Sequence, residues 1–176
     1  MKRETPVAEG LRQLPIRPVY LVSMEHEEKK NIITIGMFAS FSTSPRLVGI
    51  GIAPKRHSYD LIKKSREFVV NVVDETLLKA VRICGGKSGK DSDKFMLTGL
   101  TPVKGARVNA PYIKESPVSI ECSVVKEVEI GDHVWFIGEV QAARVRPDYD
   151  WTQGLLFKWI GEDGCTFRVG EQVGKL

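Results

Sequence analysis

The chain is poor in the features that mark several protein classes. It has only three cysteines in 176 residues (Cys84, Cys122 and Cys165), and no two form a Cys-x-x-Cys pair. An odd, scattered set fits free thiols in a reducing compartment and argues against a disulfide-stapled secreted domain or a zinc ribbon. Long hydrophobic runs are missing as well. The longest uncharged apolar stretch, Leu47 to Ala53, falls far short of the ~20 residues that span a bilayer. Met1 to Pro18 carries basic residues with no apolar core behind them, so it reads as an arm and not as a signal peptide. No block of five or more like charges occurs, and lysines come as pairs or alternate with acids. The net charge of +4 and pI of about 9.0 therefore read mainly as solvated surface. Aromatics make up 8% and sit mostly in apolar segments, not interleaved with basic residues, which argues against a nucleic-acid-binding barrel. The expectation is a cytoplasmic protein with neither membrane nor nucleic acid as partner.

What is present is ordinary globular composition, with 42% hydrophobic and 27% charged residues. The length suits one domain, expected over residues 18–176 behind an arm of residues 1–17. Pro18 to Met24 and Asn31 to Phe38 read as a strand hairpin around the charged turn Glu25 to Lys30. Phe41 to Pro45 reads as a turn, and Leu47 to Ala53 as a strand whose two glycines make sense if something approaches its backbone closely. A short helix is predicted from Ser58, read as its N-cap, and a strand over Glu67 to Val73. Asp74 is placed to cap a second helix closed by Gly85, and one helical turn is predicted near Asp93 to Leu97. In the second half Val118, Ile120, Cys122 and Val124 alternate with Ser119, Glu121 and Ser123, the pattern of a sheet with one wet face. A tight turn at Gly131-Asp132 leads to a long strand, His133 to Val145. Leu155 to Ile160 and Thr166 to Val169 pair across Gly161 to Gly164. The pattern predicts a mainly β chain: about seven strands joined by hairpins, an antiparallel barrel with two or three appended helices.

Several motifs fail on inspection. Gly86-Lys87-Ser88 ends like a phosphate-binding P-loop, but the required glycine five residues earlier is Val81, inside a helix. Gly49-Ile50-Gly51 runs on to Pro54 without opening a helix, so it is no dinucleotide fingerprint. The three histidines lie far apart and form no zinc motif, and no Gly-x-Ser-x-Gly elbow exists.

Three polar segments remain, and all suit an anionic ligand. Asn31 through Thr34, Ser40 and Ser42 place small hydroxyls at a strand end and the turn after it. Pro54 to Tyr59 brings Lys55, Arg56 and Ser58 to a helix N-terminus, where free N–H groups and the helix dipole favour phosphate. Ser88 to Phe95 adds Ser88, Lys94 and an aromatic. Together with Leu47 to Ala53, Glu67 to Asn71, Gly99 to Pro102, Asn109 to Tyr112 and Gly131 to Glu139, the ordered series resembles the flavin-reductase-like, FMN-binding split-barrel family, and within it the flavoredoxin branch. The resemblance covers about Pro18 to Val145. It departs at Ser44-Pro45-Arg46, where the family commonly has Asp-Pro-Pro, and at Ser58, where it often has threonine.

The resemblance implies a six- to seven-stranded antiparallel Greek-key split barrel, forming a homodimer with FMN in a groove near the subunit interface. It implies that Lys55, Arg56 and Ser58 take the phosphate, and that Thr34, Ser40 and Ser42 face the ring edge and ribityl chain, with Asn31 and Ala39 also in the cofactor-binding set. Met37, Phe38 and Phe41 are its candidates for apolar contact with the ring, although strand alternation lets only one face see a ligand. Ser88, Lys94 and Phe95 complete the implied set, and His133 is the candidate catalytic residue beside the flavin. The implied activity is NAD(P)H-dependent flavin reduction through bound FMN. The alternative is a flavoredoxin-like carrier with permanently bound FMN and a redox protein partner. No metal is expected.

Overall fold

The computed structural model describes residues 4–14, 17–160 and 163–168. A six-residue helix α1 (Val7–Arg12) lies in the segment read as an arm, and strand β1 (Arg17–Pro18) follows it. Then come β2 (Tyr20–His26), β3 (Lys29–Ile35), β4 (Phe38–Thr43) and β5 (Arg46–Ile52). Helix α2 (His57–Ser65) leads to β6 (Glu67–Val72), and a 3-10 turn capped by Asp74 runs into α3 (Leu78–Gly86). Helix α4 (Lys94–Thr98), the short strands β7 (Pro102–Val103) and β8 (Tyr112–Ile113), and the long strands β9 (Val118–Ile130) and β10 (His133–Val145) complete the body. Strands β11 (Leu155–Ile160) and β12 (Asp163–Arg168) join β1 in a three-stranded sheet.

Seven strands form the main antiparallel sheet, in the order β3-β2-β6-β9-β10-β5-β4. Alternation gives each strand an inward row, and these rows meet in one apolar core. Ile33 and Ile35 of β3 join Ile50 and Ile52 of β5, although the two strands lie far apart in sheet order, so the sheet curls on itself. Phe68 and Phe136 are completely buried in this core, each contributing on the order of 1.5–3 kcal/mol by burial. Leu61 and Ile62 of α2 plug it. The opposite face of β2 and β3 carries Leu21 and Ile32, which pack with Leu77, Val81, Cys84 and Phe95 from the helices in a second core.

The structure moves several predicted boundaries. The hairpin turn between β2 and β3 is Glu27-Glu28 alone; both adopt positive φ, 49° and 64°, as a tight two-residue turn requires. The segment read as one strand to Phe38 ends at Ile35, and the segment read as a turn after Phe41 is the end of β4, so the connection to β5 is only Ser44-Pro45, joined by a cis bond. Gly85 lies inside α3, whose C-cap is Lys87. The hairpin between β11 and β12 pairs Ile160 with Asp163, so the turn is narrower than Gly161 to Gly164; residues 161–162, and Val169, lie outside the described residues.

The close approach to β5 is real. A Cβ on Gly49 would lie 2.3 Å from the ring of Phe41, and one on Gly51 would lie 3.1 Å from the Met37 side chain and 3.3 Å from Trp135. The reading of Ser119, Glu121 and Ser123 as a wet face fails for its centre. Ser119 and Glu121 are buried: the chain between α4 and β9 folds back so that Ala106 and Arg107 N–H donate to Glu121, and Ser119 donates to Asn71 of β6. Alternation reports two faces; it does not report which loop covers the polar one.

Candidate functional site

Two contiguous cavities open between β3, the start of α2 and the inner side of α3. The larger, about 780 Å³, is lined among others by Val19, Met37, Leu78, Val81 and Phe157, with Arg17, Arg56, Arg82 and His133 around them. Its size falls within the usual range of about 300–1,000 Å³ for small-molecule sites. The smaller, about 260 Å³, is lined by Lys55, Arg56, His57, Ser58, Lys87, Ser88, Gly89 and Lys94, among others. Thr34, Arg56 and Gly85 line both. Neither cavity has an aspartate or glutamate among these lining residues. The pair thus combines a largely apolar chamber with a cationic recess that has no acid among its described lining residues.

The recess is built from groups whose hydrogen-bonding capacity is only partly used. Helix α2 begins at Arg56-His57 with no side-chain cap, leaving first-turn N–H groups to a ligand. Ser58, read as the cap, sits instead inside the first turn, buried, where its hydroxyl accepts from Asn31 Nδ2 at 2.9 Å. That bond leaves the Ser58 proton to donate elsewhere. Lys94 is 3% exposed and donates to the carbonyls of Ile32 at 2.8 Å and Cys84 at 3.0 Å, using two of its three protons. Burial holds its ammonium below the ordinary lysine range, only partly opposed by the nearby Cys84, and Arg56 lowers it further. The carboxamide oxygen of Asn31 is buried with no partner. Gly89 passes directly over that amide: a Cβ there would sit 2.2 Å from Asn31 Oδ1, so this loop closes the recess only with glycine.

The larger chamber has a different character. Thr34 spends its hydroxyl proton on the Val81 carbonyl at 2.7 Å, so toward a ligand it offers an acceptor and its backbone. His133 stands at the start of β10, with Nδ1 2.7 Å from Asp132 Oδ1, which fixes the ring and leaves Nε2 for the chamber it lines. The His133 contact holds the exposed Asp132 carboxyl below its ordinary range. No nucleophile is poised here. Burial pushes the Cys84 thiol up to about 11, and the Cys122 thiol, buried in the barrel core, to about 12. No cluster of three metal-ligating side chains exists among the described residues.

Of the residues predicted from sequence, Thr34, Met37, Lys55, Arg56, Ser58, Ser88, Lys94 and His133 line the two cavities, and Asn31 supports Ser58 from behind. The rest lie elsewhere. Phe38 faces inward against Tyr20, with ring centroids 4.6 Å apart, because β4 alternates and Met37 took the other side. Phe95 is buried in the second core under α3. Ala39, Ser40, Phe41 and Ser42 belong to β4 and line neither cavity. Phe41 bulges out of the β4–β5 register and meets Trp135 edge-on, centroids 5.8 Å apart. Sequence reasoning missed Arg17, Leu78, Val81, Arg82 and Phe157 as cavity walls. A signal existed for three of them: residues 78, 81, 82 and 85 recur at the helical interval of three and four and so share one face of α3.

The flavin reductase-like domain model matches residues 12–159. The chain belongs to this family. An uncharacterized protein of Archaeoglobus fulgidus is 42% identical over 126 residues, covering 72% of this chain and 70% of its own. A flavin reductase of Pseudomonas putida is 29% identical over 154 residues, covering 88% of this chain and 85% of its own. Among solved structures, flavoredoxin of Desulfovibrio vulgaris superposes with a TM-score of 0.85 at 26% identity, covering 99% of this chain and 97% of that one. The split-barrel fold expected from the sequence is thereby established, and a flavin-type ligand is consistent with the cavities. No helix among the described residues is long and apolar enough to cross a membrane.

Proposed function

We propose that this flavin reductase-like chain is an FMN-dependent oxidoreductase that takes electrons from NADH or NADPH. One observation carries the reading: an apolar chamber of about 780 Å³ opens into a cationic recess at an uncapped helix N-terminus, with no acid among the described lining residues of either. FMN has the same two parts, a flat, largely apolar ring and a phosphate of nearly two negative charges. Lys55, Arg56, Lys94 and the Ser58 hydroxyl hold the phosphate, and the first-turn N–H groups of α2 add to them. Val19, Met37, Val81 and Phe157 exclude water around the ring. FMN bound there supplies hydride acceptance and electron release. The chain supplies orientation, desolvation, and an imidazole at His133 held by Asp132, whose free nitrogen exchanges a hydrogen bond with whatever enters the chamber.

The proposed unit is a homodimer. Phe41, 49% exposed, and Trp135 stand on the outer face of β4, β5 and β10, continuous with Met37 of the chamber, and Ile130 is exposed farther along the same sheet. A second copy of the chain is the occupant this apolar face fits.

The test combines two measurements. Purified protein loaded with FMN and desalted is expected to stay yellow; a colourless product overturns the cofactor assignment. Mixing the loaded protein with NADH or NADPH is expected to oxidise the donor. Retained flavin with no oxidation of either donor would instead favour a flavoredoxin-like carrier reduced by a protein partner.

A further inference from the structure

The cations of the two cavities exceed what one phosphate requires. The recess holds Lys55, Arg56, Lys87 and Lys94 around the position assigned to the flavin phosphate. Arg17 and Arg82 line only the larger chamber, outside the recess. They come from unrelated elements, β1 and α3, and flank the chamber from both. The Arg17 stem lies against Gly36, a further chamber residue, with 3.8 Å from its Cδ to the place a Cβ would take. Arg82 shares a helix face with Leu78, Val81 and Gly85, which also line the chamber. Among the described residues neither guanidinium pairs with a carboxylate, whereas Arg66, Arg144, Arg146 and Arg168 all do. Two guanidiniums with no carboxylate partner among the described residues, on the rim of an apolar chamber, are suited to an anion.

We propose that Arg17 and Arg82 form a second anion subsite, which takes the diphosphate of the nicotinamide nucleotide donor. This rests on the proposed flavin function, and the chemistry selects the ligand. The flavin phosphate is satisfied in the recess, so a second anion must belong to the second reactant. A nicotinamide dinucleotide carries its diphosphate between two ribose units, at a distance from the ring that must reach the chamber. The planar forks of two arginines match paired phosphate oxygens better than a single carboxylate. His133 lines the same chamber as this pair, so a donor gripped by its diphosphate projects its nicotinamide toward the chamber.

The experiment compares wild type, Arg17→Gln, Arg82→Gln and the double variant, each loaded with FMN, using NADH, NADPH and the phosphate-free donor 1-benzyl-1,4-dihydronicotinamide. Each single change is expected to raise KM for the nucleotides about 10-fold and the double change about 100-fold, the loss typical of charge-assisted hydrogen bonds. With the phosphate-free donor all four proteins should agree within about 2-fold, and FMN affinity by fluorescence titration should not move. An unchanged KM for the nucleotides overturns the proposal. So does an equal loss with the phosphate-free donor or a shift in the flavin's reduction potential, since the arginines would then act on the flavin. Failure of wild type itself to oxidise any donor marks failure of the underlying function, and the subsite falls with it.

Discussion

Two buried polar clusters in this molecule have opposite bookkeeping. Around Asn71 and Glu121 every hydrogen bond closes on the protein. Glu121, with no solvent exposure, accepts from the backbone N–H groups of Ala106, Arg107 and Val108 and pairs with Arg144. The Asn71 amide donates to the Leu21 carbonyl and the Ser23 hydroxyl, and its oxygen accepts from Ile113 N–H and the Ser119 hydroxyl. Around Ser58 and Lys94 the bonds do not close: a hydroxyl proton is left over and an ammonium keeps one donor, whereas the unpartnered Asn31 oxygen lies under Gly89 and offers an anion no proton. Buried polar groups are normally satisfied, so leftover donors facing the recess support its proposed assignment to an anionic ligand. The closed cluster fastens the β7–β8 segment to the sheet, and the open one is where the flavin phosphate is proposed to bind.

Breaking the closed cluster should give the largest effect. Glu121→Ala strands three amides and an arginine, and is expected to cost about 3–5 kcal/mol in denaturant unfolding. Flavin affinity of the folded fraction should not change. A loss of affinity matching the loss of stability would erase the distinction between the clusters.

The same carboxyl gives a pH signature. Burial raises its affinity for protons, but the N–H groups of Arg107 and Ala106 and the Arg144 guanidinium outweigh that and hold it below its ordinary value of 4.5. A depressed folded value means that the stabilisation is present above about 4.5 and is lost as pH falls through the folded value. Thermal melts below pH 4.5 should fall more steeply for wild type than for Glu121→Gln.

In the open cluster the ligand enters, and the pH dependence is read in flavin affinity. Lys94→Met should weaken FMN binding by about 1.5–3 kcal/mol and lower stability by about 1–3 kcal/mol, because the Ile32 and Cys84 carbonyls lose their donor. Because the buried ammonium titrates below 10.5, flavin affinity should also decline with rising pH before ordinary lysines lose their charge, and Lys94→Met should remove that decline. Arg56→Ala, on the exposed rim, should cost FMN affinity within the same 1.5–3 kcal/mol range and leave stability alone. Unchanged affinity in a fluorescence titration would refute the phosphate position.

The two clusters were not equally legible in the sequence. Hairpin turns, β-branched runs and the long strand His133 to Val145 announced the barrel, because period and turn chemistry are local. The recess was legible in part, since cations beside a helix start have local meaning. Ser58 shows where this stops: a serine at a helix start reads as a cap, and only Asn31, 27 positions earlier in the chain, turns its hydroxyl into a donor for a ligand. Glu121 was misread for the same reason, its partners lying 13 to 23 residues away. Phe95 beside Lys94 looked like one ligand-facing unit, but a helix separates neighbours by about 100°, and only the lysine reached the recess.

The smallest effect belongs to His133, which touches neither cluster. Its ring is fixed by Asp132 and lines the chamber but not the recess, so it is not among the groups assigned to the phosphate. His133→Ala is expected to leave FMN affinity within about 0.5 kcal/mol of wild type while slowing flavin reduction by the nicotinamide donor in stopped-flow traces. Asp132→Asn keeps the imidazole but weakens its anchor, and should slow reduction less. Equal rates in all three proteins would leave His133 as a wall of the chamber and no more, and the comparison of an open with a closed cluster would stand without it.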